Sequence, residues 1–342
     1  MSDITEQMTQ TAAAMVATGK GILAIDESLP TIKKRFDTID IESTEENRRS
    51  YRELLITAPG GEEFISGMIL FDETLRQQTR DGVPFPQALI AKGIMPGIKV
   101  DTGAKDLAGH PGEKVTEGLD GLRARLAEYR DLGARFAKWR AVITIGDHIP
   151  SNGCIEANAH ALARYAALCQ DAGIVPMVEP EVLMDADNDI DVCYWATEKT
   201  LRTVFNALYE QRVALEHTIL KTNMVISGKK CPLQAGVPEV AEKTVRCLLS
   251  TVPAALPGIV FLSGGQSATL ATAHLNAMNR NHDGLPWPLS FSYGRALQEP
   301  CLKTWAGNSA NFSAAQTALL HREKCNSLAC LGQYTDALEA AA

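Results

Sequence analysis

The sequence predicts a parallel (β/α)8 barrel on three observations. Eight short apolar runs recur along its 342 residues. Segments with helical spacing lie between consecutive runs, and seven of the eight runs end in a polar or charged group. Alternating strand and helix signals specify a parallel sheet with helical crossovers, and such barrels gather functional groups at the carboxyl ends of their strands.

The eight strands are expected at 21–25, 66–71, 97–100, 136–144, 174–178, 218–224, 258–262 and 289–293, mostly bounded by Gly, Pro, Asp or Ser. Ser43-Thr-Glu-Glu46 has the form of a capping box opening a helix that runs to Leu55. From Ala157 to Cys169 apolar residues recur every three or four positions. The helix expected over 238–249 begins with Pro238, which suits a first helical turn. Extra helices are expected at 1–20 and 309–330. No low-complexity linker interrupts the chain, so residues 1–342 read as one barrel domain, with 333–342 an Ala-rich, loosely held tail.

Composition narrows the function. A hydrophobic content of 45% and a charged content of 22% are those of an ordinary globular chain. The net charge of −8 argues against nucleic acid or an anionic membrane as partner. No run approaches the roughly 18 apolar residues of a membrane span, and Met1-Ser-Asp-Ile-Thr-Glu-Gln7 lacks the basic start and apolar core of a signal peptide. Eight scattered cysteines without Cys-x-x-Cys fit reduced thiols, so the cytoplasm is the expected location. The seven histidines form neither His-x-His nor His-Glu-x-x-His, so no metal is expected.

Three charged residues stand inside the apolar runs: Lys138 in Phe136-Ala-Lys-Trp-Arg140, Glu179 in Ile174-Val-Pro-Met-Val-Glu-Pro-Glu181, and Lys221 in Thr218-Ile-Leu-Lys-Thr222. Unpaired charge in a buried strand costs several kcal/mol, so they are expected to meet. They lie 41 and 42 residues apart, at equivalent points of successive strand units. A lysine in apolar surroundings beside another cation loses its proton and becomes a nucleophilic amine. Two lysines and a carboxylate therefore suit imine chemistry on a carbonyl compound. The plain alternative for Lys221 alone is a stem packed in the barrel with its amine at the rim.

Glu179 and Glu181 alternate across Pro180 and face the same way in an extended strand. Expelling water from a carbinolamine needs a proton donor, which a carboxyl of raised pKa would supply; structural ion pairing is the alternative. Asp26 closes the first strand and is read either as the acceptor of a substrate hydroxyl proton or as a turn residue. Ser263-Gly264-Gly265-Gln266 and Ser292-Tyr-Gly294-Arg295 follow the seventh and eighth strands, the recurrent phosphate position of this fold. Their small residues leave backbone N–H groups open to an anion. Lys34, Arg35 and Lys99 are candidates for a second phosphate, with ordinary solvated charge the alternative for each; Arg140, also at the rim, is a further substrate- or phosphate-binding candidate.

At these residues the chain resembles class I fructose-1,6-bisphosphate aldolases. The matching runs are Gly19-Lys-Gly-Ile-Leu-Ala24, Thr44-Glu-Glu-Asn-Arg-Arg49, Gly97-Ile-Lys-Val-Asp101, Phe136-Ala-Lys-Trp-Arg140, Val178-Glu-Pro-Glu181, Phe261-Leu-Ser-Gly-Gly-Gln266 and Phe291-Ser-Tyr-Gly-Arg295. The resemblance implies a barrel lyase of glycolysis and gluconeogenesis, a homotetramer, that splits fructose 1,6-bisphosphate without metal. It implies Lys221 as the imine-forming residue, Glu179 as acid–base, Lys138 as its charged neighbour and Asp26 as the group handling the C4 hydroxyl. Ser263, Gly264, Gly294 and Arg295 would hold one phosphate, and Ser28, Thr31 and Lys99 the region of the other. A related substrate such as sedoheptulose 1,7-bisphosphate, or a silent sugar-phosphate-binding barrel, is the competing expectation. Three departures stand out: Thr222 follows Lys221 where the family usually has proline, Leu29-Pro30-Thr31 replaces a Thr-Gly-Ser stretch, and Leu338-Glu-Ala-Ala-Ala342 lacks a terminal tyrosine.

Overall fold

The strands of the main sheet are largely apolar on their outward faces, so each must be covered by a helix, and closing the sheet removes its edges. The computed structural model of the chain describes residues 3–282 and 284–341. Ten strands run in chain order: β1 Gly21–Ile25, β2 Ile65–Leu70, β3 Met95–Lys99, β4 Gly103–Asp106, β5 Lys114–Glu117, β6 Phe136–Ile143, β7 Val175–Val182, β8 Ile219–Thr222, β9 Ile259–Phe261 and β10 Leu289–Tyr293. Eight close into a parallel barrel in the order β1, β2, β3, β6, β7, β8, β9, β10. The antiparallel pair β4–β5 is an excursion after β3 that the sequence pattern does not predict; its strands are four residues each and carry no run of apolar residues.

Two boundaries move for physical reasons. β7 continues past Val178 to Val182, because Glu179 and Glu181 stay buried in ion pairs. Pro180 is tolerated in this inner strand because pairing with β8 ends at Val178–Leu220. β8 stops at Thr222; Asn223 then turns its side chain to accept the Val182 N–H at 2.9 Å. The helix expected to open at Ser43 instead spans Glu45–Thr57, capped by Thr44, whose hydroxyl accepts the Asn47 N–H at 3.1 Å. Other helices include Asp3–Met15, Asn152–Asp171, Val237–Thr251 and Phe312–Cys330. No helix among the described residues is long and apolar enough to cross a membrane.

The barrel interior is layered. Phe136, Met177 and Ile219 point inward near the amino end of the barrel, where the helix Asp3–Met15 contributes Met8, Ala12 and Met15 to the same apolar cluster. Phe136 occupies the space beside β3 so completely that a Cβ on Gly97 would lie 2.2 Å from its ring. Two residues further along each strand, the interior becomes charged. In the tail, Tyr334 is buried and donates its hydroxyl to Glu339 at 2.7 Å, and Glu339 pairs with Arg322 at 2.5 Å.

Candidate active site

Side chains on parallel strands alternate inward and outward, so Asp26, Lys138, Glu179 and Lys221 enter the barrel directly above Ala24, Phe136, Met177 and Ile219. They line a cavity of about 890 Å³ at the carboxyl ends of the strands. Lys138 Nζ lies 2.6 Å from Asp26 Oδ2 and 3.1 Å from Glu179 Oε2, while Glu179 Oε1 lies 3.1 Å from Lys221 Nζ. All four residues are at least nine-tenths buried.

The two lysines diverge in charge for a geometric reason. Burial presses both ammonium groups to lose a proton. At Lys138 this is outweighed by Asp26, Glu179 and Asp101, and its pKa is raised. At Lys221 burial dominates; Glu179 opposes it, the Lys138 charge reinforces it, and the pKa falls. For Asp26, burial is outweighed by Lys138, Lys221 and Lys99, which bring the carboxyl down to about 2. Glu179 departs from expectation. Burial raises its pKa, but Lys138, Lys221 and Arg140 together hold it below the ordinary value. In the free enzyme it is a carboxylate, not the protonated donor that the sequence pattern suggests.

The remaining expected groups divide. Ser28, Thr31, Arg35, Lys99, Arg140, Glu181, Ser263, Gly264, Gly265, Ser292, Gly294 and Arg295 all line the cavity. Lys34 does not: it lies exposed on the helix Leu29–Phe36, while Arg35, one residue on, turns into the site. Ser28 and Thr31 hydroxyls stand 3.0 Å apart. Lys99 pairs with Asp101 at 2.7 Å, Arg140 with Glu181, and Arg35 with Glu27, which Arg52 also holds at 2.7 Å.

Most cations of the cavity thus face a carboxylate. Arg125 is bonded to the carbonyls of Val100 and Gly118. Arg295 donates to the Gln266 carbonyl at 2.9 Å and, among the described residues, forms no ion pair, which leaves its charge available to an anion. Its neighbour Ser292 has a buried hydroxyl without a protein partner. Gly265 adopts φ +78°, and a Cβ there would strike Met184 Cγ at 2.1 Å, so only glycine permits this loop.

Sequence reasoning missed Glu27, Asp101, Asp185 and Lys229, all at the cavity. Asp101 was legible: it follows Lys99 by two residues, as Glu181 follows Glu179. Away from the cavity, His321, Cys325 and Glu339 bring potential ligand atoms within 4.8 Å of one another, although Glu339 is already engaged by Arg322 and Tyr334.

A barrel whose mouth joins a lysine of lowered pKa to a carboxylate, a second lysine and a glycine-rich loop carries the groups of a lysine-centred carbonyl lyase. The comparisons specify it further. The family model described as "Fructose-bisphosphate aldolase class-I" matches residues 7–342. A Xanthomonas axonopodis pv. citri protein named "Probable fructose-bisphosphate aldolase class 1" is 66% identical over 330 residues, covering 96% of this chain and 98% of that protein. The cytosolic fructose-bisphosphate aldolase 5 of Arabidopsis thaliana is 54% identical over 96% of this chain and 92% of its own. The structure of fructose-bisphosphate aldolase from Plasmodium falciparum, in complex with TRAP and a small-molecule inhibitor, superposes with a TM-score of 0.96 at 49% identity, covering 98% of this chain and 97% of that one. The chain belongs to the class I fructose-bisphosphate aldolases. Its activity is the reversible cleavage of fructose 1,6-bisphosphate to dihydroxyacetone phosphate and glyceraldehyde 3-phosphate; a silent barrel is not favoured.

Proposed function

We propose that Lys221 carries this reaction through an imine with the C2 ketone of the substrate. The observation that supports it is the asymmetry between the lysines: Lys138 is flanked by two carboxylates, whereas Lys221 has only a share of one and a pKa below the ordinary value. The neutral Lys221 amine adds to C2, giving an ammonium on nitrogen and an alkoxide on oxygen. Glu179, ionised and 3.1 Å from the amine, receives the proton from nitrogen and returns it to oxygen, giving a neutral carbinolamine; a second proton, taken up from solvent by Glu179 and passed to the hydroxyl, lets water leave and the iminium form. Its lowered pKa suits this relay, which begins with a carboxylate.

Asp26 then accepts the C4 hydroxyl proton as the C3–C4 bond breaks. The bonding pair flows to the iminium nitrogen, releasing glyceraldehyde 3-phosphate and leaving an enamine. Protonation at C3 and addition of water free dihydroxyacetone phosphate. Lys138 keeps its charge throughout and holds both Asp26 and Glu179 in place; Glu181 fixes Arg140. One phosphate sits on Ser263, Gly264, Gly265, Ser292, Gly294 and Arg295. The other lies among Ser28, Thr31, Arg35, Lys99 and Arg140, which line the same cavity. The chemistry needs no cofactor, because the iminium is the electron sink.

The same reading makes residues 1–342 one catalytic domain of a cytoplasmic homotetramer. The half-exposed Trp195 and the exposed Tyr209, on the one helix Ile190–Glu210, support an assembled state. Borohydride reduction of the enzyme with dihydroxyacetone phosphate tests the mechanism. The added mass is expected on the peptide containing Thr218-Ile-Leu-Lys-Thr222. Label on Lys138 or Lys99 reverses the assignment, and cleavage without any label removes covalent catalysis.

A further inference from the structure

The loop 263–266 is flanked by two cations, of which sequence and resemblance supplied only Arg295. The second is Lys229, eight residues beyond Lys221 on the segment after β8. Its backbone is fixed across the mouth: its N–H donates to the Met184 carbonyl at 2.8 Å, and the N–H groups of Gly228 and Lys230 donate to Asn188 and Ala186 at 2.8 and 3.1 Å. Its stem crosses the glycine loop, with Cε 3.4 Å from where a Gly265 Cβ would stand. The side chain is half-exposed, and its ammonium rests on Asp185 Oδ1 at 2.8 Å.

We propose that Lys229 is a further phosphate-binding and specificity residue, and that Asp185 is its resting partner before substrate arrives. This rests on the aldolase reading above. The Lys229–Asp185 pair is half-open to solvent, with side chains 46% and 65% exposed. Exposed pairs of this kind are weak, so leaving Asp185 costs little. A phosphate on Ser263 and Gly265 carries nearly two charges near neutral pH and offers three acceptor oxygens. It therefore outcompetes a single carboxylate for the ammonium. Arg295 approaches the loop from the β10 side and Lys229 from the β8 side. The free enzyme thus meets its substrate with this charge neutralised, and the bound phosphate recruits it.

The decisive property of this arrangement is that the two partners act with opposite sign. In K229M, the dihydroxyacetone phosphate concentration needed for half-maximal borohydride labelling of Lys221 should rise about tenfold, as for loss of one charged hydrogen bond. In D185N it should fall about two- to threefold, because the competing acceptor is gone. K229R should stay near wild type, which controls for a folding defect in K229M. A shift in the same direction in K229M and D185N, or no shift in K229M, overturns the proposal and leaves the pair as surface structure. The aldolase reading is judged separately on the wild-type enzyme: if wild type neither cleaves nor labels, that reading fails; if it does both while K229M is unchanged, only Lys229 is misassigned.

Discussion

The two layers of the barrel interior are built from the same strands, yet they obey different rules. The lower layer, with Phe136, Met177, Ile219 and Ala24, is apolar and is closed from below by the helix Asp3–Met15. The upper layer, two residues further along each strand, is Lys138, Glu179, Lys221 and Asp26. Burial hardly differs between them, since all these residues are at most 8% exposed. Complementarity is what differs. In the lower layer each contact adds a little and shape is everything, as the Gly97–Phe136 contact shows. In the upper layer the outcome depends on how many carboxylates each cation reaches. Lys138 reaches two and its pKa is raised, while Lys221 shares one and its pKa falls. Equal burial therefore goes with a raised lysine pKa on β6 and a lowered one on β8, the difference on which the proposed imine role of Lys221 rests.

The comparison is broken most sharply by exchanging its rules. Lys221→Met carries the lower layer's chemistry into the upper one. Turnover should fall on the order of 10⁴-fold or more, about 5 kcal/mol of barrier, while thermal unfolding shifts by only a few degrees, because Glu179 retains Lys138. A collapse of the fold in this variant would make Lys221 structural.

Phe136→Ala does the reverse. It should destabilise the protein by about 3–5 kcal/mol, read by denaturant unfolding, while the specific activity of the folded fraction stays within a fewfold of wild type.

Lys138→Met tests the division between the lysines. Turnover should drop by about two powers of ten, roughly 3 kcal/mol, with the fold intact. The sign of the accompanying pH effect is fixed by the geometry. The Lys138 charge lowers the Lys221 pKa, and Glu179 raises it. Removing Lys138 leaves Glu179 to Lys221 alone, so both changes raise the Lys221 pKa. The alkaline rise in kcat/KM should therefore move to higher pH. Near-normal turnover with an unmoved profile would reduce Lys138 to a structural role.

Deleting the residues after Gly332 is a smaller perturbation, far from the layered interior. It strips Glu339 from the buried Arg322, so stability should fall by about 1–3 kcal/mol. Turnover should change little; a large selective loss of proton exchange at C3 would assign that step to this tail. The smallest expected effect is none: chelation with EDTA should leave activity unchanged, since the upper layer supplies its own charges. Loss of activity restored by zinc would overturn the imine mechanism.

Much of this was legible in the sequence, because strand alternation is a local property. The run around each strand shows which residue enters the interior, and a charge at that position marks the rim. That is why Lys138, Glu179, Lys221 and Asp26 stand out in the amino-acid order alone. The place of the loops after the last two strands at the cavity was legible too, because runs of small residues leave a compositional mark. Helix phase is weaker information. Lys34 and Arg35 are adjacent cations on one short helix, and only its packing turns Arg35 inward and Lys34 to solvent. The ionisation states were legible only in part: apolar surroundings and a second cation pointed to a lowered lysine pKa, but Glu179, expected to be raised, lies below its ordinary value. These states depend on distances of 2.6 to 3.1 Å between strands far apart in the chain. Composition and order determined that two lysines and a carboxylate would meet. Only the closed barrel decided how the carboxylates are shared between the lysines and which way each pKa moves, because electrostatic energy is set by separation in space and the chain records only separation along itself.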